Sequence, residues 1–182
     1  MTGKTILYVN SVGGQTDIVY DGSSAAFNNR GEAIALLKSF EEDFHTVDVD
    51  GNETPKKIPE QNKTYNVYRA IKLGLGDFFV KNGFKTACLG LSGGIDSAVV
   101  LSMAAETLGP ENIRVLLMPS QFSSDHSVED ARELAENLGV EYQIVPINET
   151  FAALTATLGP VFGELPFNVA EENMQARIRG MM

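Results

Sequence analysis

From Phe84 to the end of the sequence, short apolar runs alternate with stretches of helical spacing, and this alternation restricts the fold more than any other feature. Thr86–Leu91 reads as a strand, followed by a glycine-containing turn and a helix through Leu108. Ile113–Met118 is apolar apart from Arg114 and reads as the next strand. Ser127–Leu138 has the spacing of a helix, with Ser127 and Asp130 as its capping box and Gly139 just past its end. Glu141–Val145 reads as a third strand, and Asn148 opens a helix that Gly159-Pro160 is expected to end after Leu158. A last amphipathic segment covers Ala170–Arg179. Apolar strands separated by helices predict an α/β fold, a parallel sheet flanked by helices and covered on both faces.

The first fifty residues differ. Strands are expected at Thr5–Val9, Asp17–Tyr20, Ala25–Asn28 and Phe44–Val49, with Gly13-Gly14 and Asp21-Gly22 as punctuation. Residues 50–64 are polar, hold two prolines and have no periodicity, as a linker does. Tyr65–Val80 then has helical spacing, weakened by Gly74 and Gly76, and Gly83 reads as its stop.

Charge excludes one class of function. The net charge is −10, with −4 on residues 1–64 and −6 on 65–182, so broad electrostatic binding of nucleic acid is not expected. A phosphate site would have to be local. The single cysteine, Cys88, forbids an intrachain disulfide and suits a reducing compartment; its mid-strand place predicts a buried, inert thiol. The longest apolar stretch, Ala98–Ala105, is broken by Ser102 and too short for a bilayer, and Met1-Thr2-Gly3-Lys4 has no signal-peptide pattern. These features predict a cytoplasmic protein without membrane contact. His45 and His126 lack metal-ligand spacing and read as surface residues, and Glu41-Glu42-Asp43 as a solvated turn.

The turn between the first strand and helix of the alternating region is Ser92-Gly93-Gly94-Ile95-Asp96-Ser97. It lies where open α/β sheets bind ligands, beyond the C-terminal end of a strand. Two glycines permit a tight turn and close approach of an anion, successive N–H groups make a nest for it, and the helix N-terminus adds partial positive charge. Ser92 and Ser97 supply hydroxyl donors. Asp96 would repel phosphate unless a cation lay between them, which points to Mg²⁺. A turn in which Asp96 and Ser97 merely cap a helix is the plainer alternative. No Gly-Lys-Ser/Thr follows, so this is not a Walker loop, and the third glycine of the dinucleotide fingerprint is absent.

The hexapeptide resembles the pyrophosphate loop of the N-type ATP pyrophosphatases, which adenylate a substrate oxygen and then admit a nitrogen or sulfur nucleophile. Leu89–Ala98 and Glu171–Gly180 together are similar to glutamine-dependent NAD⁺ synthetases. Val9–Gln15 and Val19–Ser24 resemble the end of the nitrilase-like glutaminase domain that precedes the synthetase in that family. The resemblance implies an adenine nucleotide alpha-hydrolase-like, Rossmann-like synthetase part at 65–182, a glutaminase remnant at 1–50 and a linker at 51–64. It implies ATP and Mg²⁺ as cofactors, with Gly90, Leu91, Ser92, Gly93, Gly94, Ile95, Asp96, Ser97 and Met118 at the nucleotide, Asp96 at the metal, and Asn173 and Arg177 at deamido-NAD⁺. Arg177 and Arg179 also read as a solvated helix face. Glutamine or ammonia would be the nitrogen source, and a homo-oligomer the assembly. Another N-type ATP pyrophosphatase, such as GMP synthetase, and a non-catalytic ATP-binding module are the alternatives.

The family's glutaminase glutamate, lysine and cysteine are expected before Met1. Its later ATP- and magnesium-binding threonine and glutamate, and its later lysines, are expected after Met182. The 182-residue chain alone is therefore expected to show neither glutaminase nor synthetase turnover. NAD⁺ formed from deamido-NAD⁺, ATP and ammonia by the purified chain would contradict this.

Overall fold

The structure is a computed structural model that describes residues 3–50, 53–162 and 169–182. Residues 51–52 of the expected linker and the Met1-Thr2 start lie outside the described residues. The chain divides into two compact units, one up to Phe84 and one from Lys85 to Met182.

In the first unit, β1 (Ile6–Tyr8), β4 (Ala25–Phe27) and β5 (Ala33–Leu36) form an antiparallel sheet, while β2 (Val12–Gln15) and β3 (Ile18–Asp21) form a hairpin. Two expectations are corrected here. Phe44–Val49 is not a strand but irregular backbone: the Asp43 carboxylate takes the N–H groups of Lys38 and Phe44 at 3.0 and 2.9 Å, so the first N–H of that stretch is not free for a sheet partner. The strand lies instead at Ala33–Leu36, whose small apolar residues bury Ala26, Ile34 and Ala35 in one cluster with Leu37 and Val47. Gly13-Gly14, read as punctuation, lies inside β2.

Helix α1 (Lys63–Asn82) explains those glycines. Asn62 caps its start by accepting from the Tyr65 N–H, and Gly83 ends it in the left-handed region at φ 72°. The helix packs on the β2–β3 hairpin at very short range. A Cβ on Gly14 would sit 3.2 Å from the Gly74 Cα, and one on Gly74 would sit 3.1 Å from a Val19 methyl. Gly74 thus weakens the helix by propensity and serves it by packing. The contact is pinned by charge. The Gly14 N–H donates to Asp77 Oδ2 at 2.7 Å, Lys81 Nζ donates to the Gly14 carbonyl at 2.5 Å, and Lys81 pairs with Asp77 at 3.1 Å.

The Gly14 N–H, and after it Lys81, hold the Asp77 carboxyl below the ordinary carboxylate value. A folded-state pKa below the unfolded one gives stability that is present above the unfolded value and lost as pH falls through the folded one. Protection of the Gly14 amide against hydrogen exchange should therefore decline on acidification below about pH 4. Asp77→Asn should weaken that protection at neutral pH and remove its acid dependence. An unchanged pH profile in the variant would show that another group anchors the hairpin.

In the second unit, β6 (Ala87–Gly90), β7 (Ile113–Leu117) and β8 (Glu141–Ile144) pair in parallel in that order, as expected of an α/β fold. Helices α2 (Ile95–Leu108) and α3 (Asp125–Leu138) pack on this sheet. Leu101 of α2, Ala131 and Ala135 of α3, and Ile113, Val115 and Leu117 of β7 are all buried. Among the described residues, full cover of both faces is not met. Cys88, Arg114 and Glu141 stand side by side in register and are exposed, with Arg114 paired to Glu141 at 3.1 Å. Cys88 is accordingly an exposed thiol, not the buried one expected.

Two helix boundaries also differ. The α3 cap is Ser124, whose side chain accepts from the Ser127 N–H at 3.2 Å, so Ser127 lies inside the first turn instead of capping it. Gly139 closes α3 as expected, at φ 68°. Helix α4 (Asn148–Phe162) runs through Gly159-Pro160. Proline lacks the N–H for one helical bond, but it falls in the last turn, and Gly159 has no Cβ to clash with its ring. Helix α5 (Val169–Met181) packs on α4, and Ile147, Phe151 and Ile178 form a buried cluster that Met118, Leu154 and Met174 complete.

Candidate functional site

The site begins where β6 stops. The Leu91 N–H still reaches across to the Leu116 carbonyl at 3.0 Å, so the chain stays beside β7 for one residue past the strand. Ser92–Gly94 then reverses it into α2. Gly93 has φ 78°, in the left-handed region, and a Cβ there would fall 2.2 Å from the Ser127 carbonyl oxygen. The turn therefore lies directly against the first turn of α3. No side chain other than hydrogen fits that gap.

Gly94 is the α2 N-cap and offers no side chain, so Asp96 and Ser97 lie inside the first turn instead of capping it. The two serines bind the turn together. Ser97 Oγ donates to the Gly94 carbonyl at 3.0 Å, lies 3.0 Å from Ser92 Oγ, and accepts from the Ser92 N–H at 3.3 Å. Ser92 Oγ accepts from the Gly94 N–H at 3.2 Å. Hydroxyls thus occupy the places where backbone donors converge. Ser92, Gly94, Ile95 and Asp96 are exposed, so this ring of donors is open to solvent.

A cavity of about 440 Å³ lies beside the turn, lined by Gly90, Leu91, Ser92, Leu117, Met118, Pro119, Ser123, Ser127, Val128, Ala131, Arg179 and Gly180. Its lining combines the hydroxyls of Ser92, Ser123 and Ser127 with the apolar side chains of Leu117, Met118 and Val128. Two helices, α2 and α3, start beside it, each with its partial positive end. Gly90 keeps the floor flat, since a Cβ there would sit 3.1 Å from the Met118 Cε.

Of the residues expected at the nucleotide, Gly90, Leu91, Ser92 and Met118 line this cavity, while Gly93, Gly94, Ile95, Asp96 and Ser97 continue from it through the turn into α2. Asn173 and Arg177 occupy exposed positions on α5 outside the lining. Sequence reasoning missed Arg179, which is half-buried and donates from Nε to the Met118 carbonyl at 3.0 Å. It also missed Ser123 and Ser127 as cavity residues. The run Ser123-Ser124 with Ser127, just past a strand end, was the available signal. Both histidines are exposed, and among the described residues no three His, Cys, Asp or Glu side chains gather to hold a metal.

Comparison with known proteins gives this geometry a family. The family profile described as NAD synthase matches residues 67–182. The chain belongs to the NAD synthase family. It is 45% identical over 180 residues to a glutamine-dependent NAD(+) synthetase of Synechocystis sp., covering 96% of this chain and 32% of that protein. A glutamine-dependent NAD(+) synthetase of Aquifex aeolicus is 39% identical and covers 96% of this chain, 37% of its own length. The solved structure of glutamine-dependent NAD+ synthetase from Acinetobacter baumannii in complex with ADP superposes with a TM-score of 0.90 at 37% identity, over 97% of this chain and 34% of that one. This NAD synthase-family chain thus spans about a third of the length of the relatives it matches. Among the described residues, no helix is long and apolar enough to cross a membrane.

Proposed function

We propose that this chain supplies the ATP-binding part of a glutamine-dependent NAD⁺ synthetase. In the reaction, an oxygen of the nicotinate carboxylate of deamido-NAD⁺ attacks the α-phosphorus of ATP. The bond to the bridging oxygen of the β-phosphate breaks and pyrophosphate leaves. Ammonia, from glutamine or free, then attacks the acyl-adenylate, giving the amide of NAD⁺ and AMP. The observation that carries this reading is the Ser92–Ser97 turn, with its hydroxyl and N–H donors, beside a cavity lined by both serine hydroxyls and the apolar side chains of Leu117, Met118 and Val128.

In this reading Ser92, Gly93, Gly94 and Ser97 hold the β- and γ-phosphates, aided by the N-terminus of α2, and stabilise the charge that grows on the leaving pyrophosphate. The serine hydroxyls turn from the loop's own backbone toward phosphate oxygens. Gly90, Leu91 and Met118 receive the nucleoside. Asp96, exposed in the first turn of α2, fits the mode in which Mg²⁺ takes one carboxylate and otherwise phosphate oxygens and water. Bound there, the ion would neutralise leaving-group charge. Asn173 and Arg177 are assigned to deamido-NAD⁺, the guanidinium suiting a carboxylate or phosphate. Residues 1–50 are assigned to the end of a nitrilase-like glutaminase domain, 51–64 to a linker and 65–182 to the synthetase part. The setting is a cytoplasmic homo-oligomer.

Calorimetric titration tests the binding half. ATP with Mg²⁺ should bind this chain, and inorganic pyrophosphate should displace it competitively. ATP binding that pyrophosphate leaves untouched would place the nucleotide away from the Ser92–Ser97 turn and refute the assignment.

A further inference from the structure

The end of β7 carries a polar group that the sheet does not satisfy. Carbonyls along a strand alternate between its two neighbours. The Leu116 carbonyl faces β6 and accepts from the Leu91 N–H at 3.0 Å; the Leu117 carbonyl faces β8 and accepts from the Val145 N–H at 2.8 Å. The next carbonyl, of Met118, is due to face the β6 side again. There the chain has already turned away into Ser92–Gly94, and among the described residues no backbone N–H donates to it. Arg179 Nε from α5 fills that position at 3.0 Å. Its backbone is held by its neighbour Ile178, which is fully buried in the cluster with Ile147 and Phe151. Met118 is thereby fastened twice: its side chain to the α4–α5 cluster and across Gly90, its carbonyl to Arg179.

We propose that Arg179 is a positioning residue, which replaces the missing strand donor at Met118 and so holds open the gap between the ends of β6 and β7 in which the nucleoside would lie. The inference rests on the ATP reading above for its link to function, but the positioning itself does not. Arg179 is only half-buried and lines the cavity, so its removal perturbs the cavity wall and leaves the buried Ile178 anchor in place. A guanidinium that acted only as a charge would favour every anion alike, pyrophosphate included. A guanidinium that sets the strand end should favour the nucleoside end over the turn.

Two readouts on the full 182-residue chain test this, using Arg179→Met and Arg179→Lys. Without ligand, hydrogen exchange in Arg179→Met should rise about tenfold at residues 117–120, with the β7–β8 interior unchanged; one charge-assisted hydrogen bond is worth about that factor. Arg179→Lys, which keeps a donor, should recover part of the protection. Unchanged exchange at the strand end overturns the proposal whatever the chain binds. With ligand, Arg179→Met should weaken ATP about tenfold and pyrophosphate by less than about twofold. Equal losses for both would reduce Arg179 to a charge and overturn its positioning role. Raised exchange at the strand end in a chain whose wild type binds no ATP would uphold the positioning and sink the ATP reading alone.

Discussion

Replacing Gly93 by alanine is expected to abolish ATP binding and to destabilise the second unit. Two costs add. At φ 78° a residue with a Cβ is strained by about 1–2 kcal/mol. The new methyl would also stand 2.2 Å from the Ser127 carbonyl oxygen and 2.8 Å from its carbonyl carbon and Cα, all backbone atoms of a capped helix. Overpacking of that kind costs about 1–3 kcal/mol, so the total is about 2–5 kcal/mol. Relief requires the turn to leave α3, which disperses the donors of Ser92 and Gly94. ATP affinity should fall at least about a hundredfold, the equivalent of about 2.7 kcal/mol. Gly94→Ala is the control. Its backbone is extended at φ −87°, and its Cβ would meet only the Ser92 hydroxyl, at 3.3 Å. That variant should keep its thermal midpoint and lose affinity modestly. Equal behaviour of the two variants in unfolding and titration would show that the turn does not depend on α3.

Asp96→Asn should invert the effect of magnesium on ATP binding. The carboxylate repels phosphate when no cation is present and joins it to one when a cation is. Two unit charges about 4 Å apart interact by about 4 kcal/mol at an effective dielectric of 20, an upper limit for so exposed a group. Without Mg²⁺ the asparagine variant should bind ATP as tightly as wild type or more tightly. With Mg²⁺ the wild type should gain about tenfold to a hundredfold, and the variant little. Titrations at fixed ionic strength with and without the ion measure both. The same magnesium increment in both proteins would remove Asp96 from the metal site.

Much of the second unit was legible in the sequence. The alternation of apolar and helical stretches led to β6, β7, β8 and the helices between them, because strands buried on a face and helices with one apolar stripe repeat with different periods. Gly83 and Gly139 were readable as helix ends because a left-handed residue there favours glycine. The errors have local causes. Ser124 and Ser127 are both good caps, and spacing alone does not rank them. Ala33–Leu36 holds two alanines, poor strand formers, and becomes a strand because β4 offers it a partner. Phe44–Val49 alternates like a strand but gives its first N–H to Asp43.

The Ser92–Ser97 turn was determined by the sequence itself. A strand, two glycines, flanking hydroxyls and a helix start are local features, and each constrains backbone angles within a few residues. Family membership followed from the same short segments. Only the tertiary structure decided what those residues meet. Gly93 is pressed against Ser127, Gly14 lies against Gly74 and donates to Asp77, and Met118 receives Arg179 from sixty-one positions away. Cys88 is exposed because no described helix covers its row of the sheet. Such contacts depend on how finished elements dock. Docking is set by close packing between residues far apart in the chain, and no spacing within either segment records it.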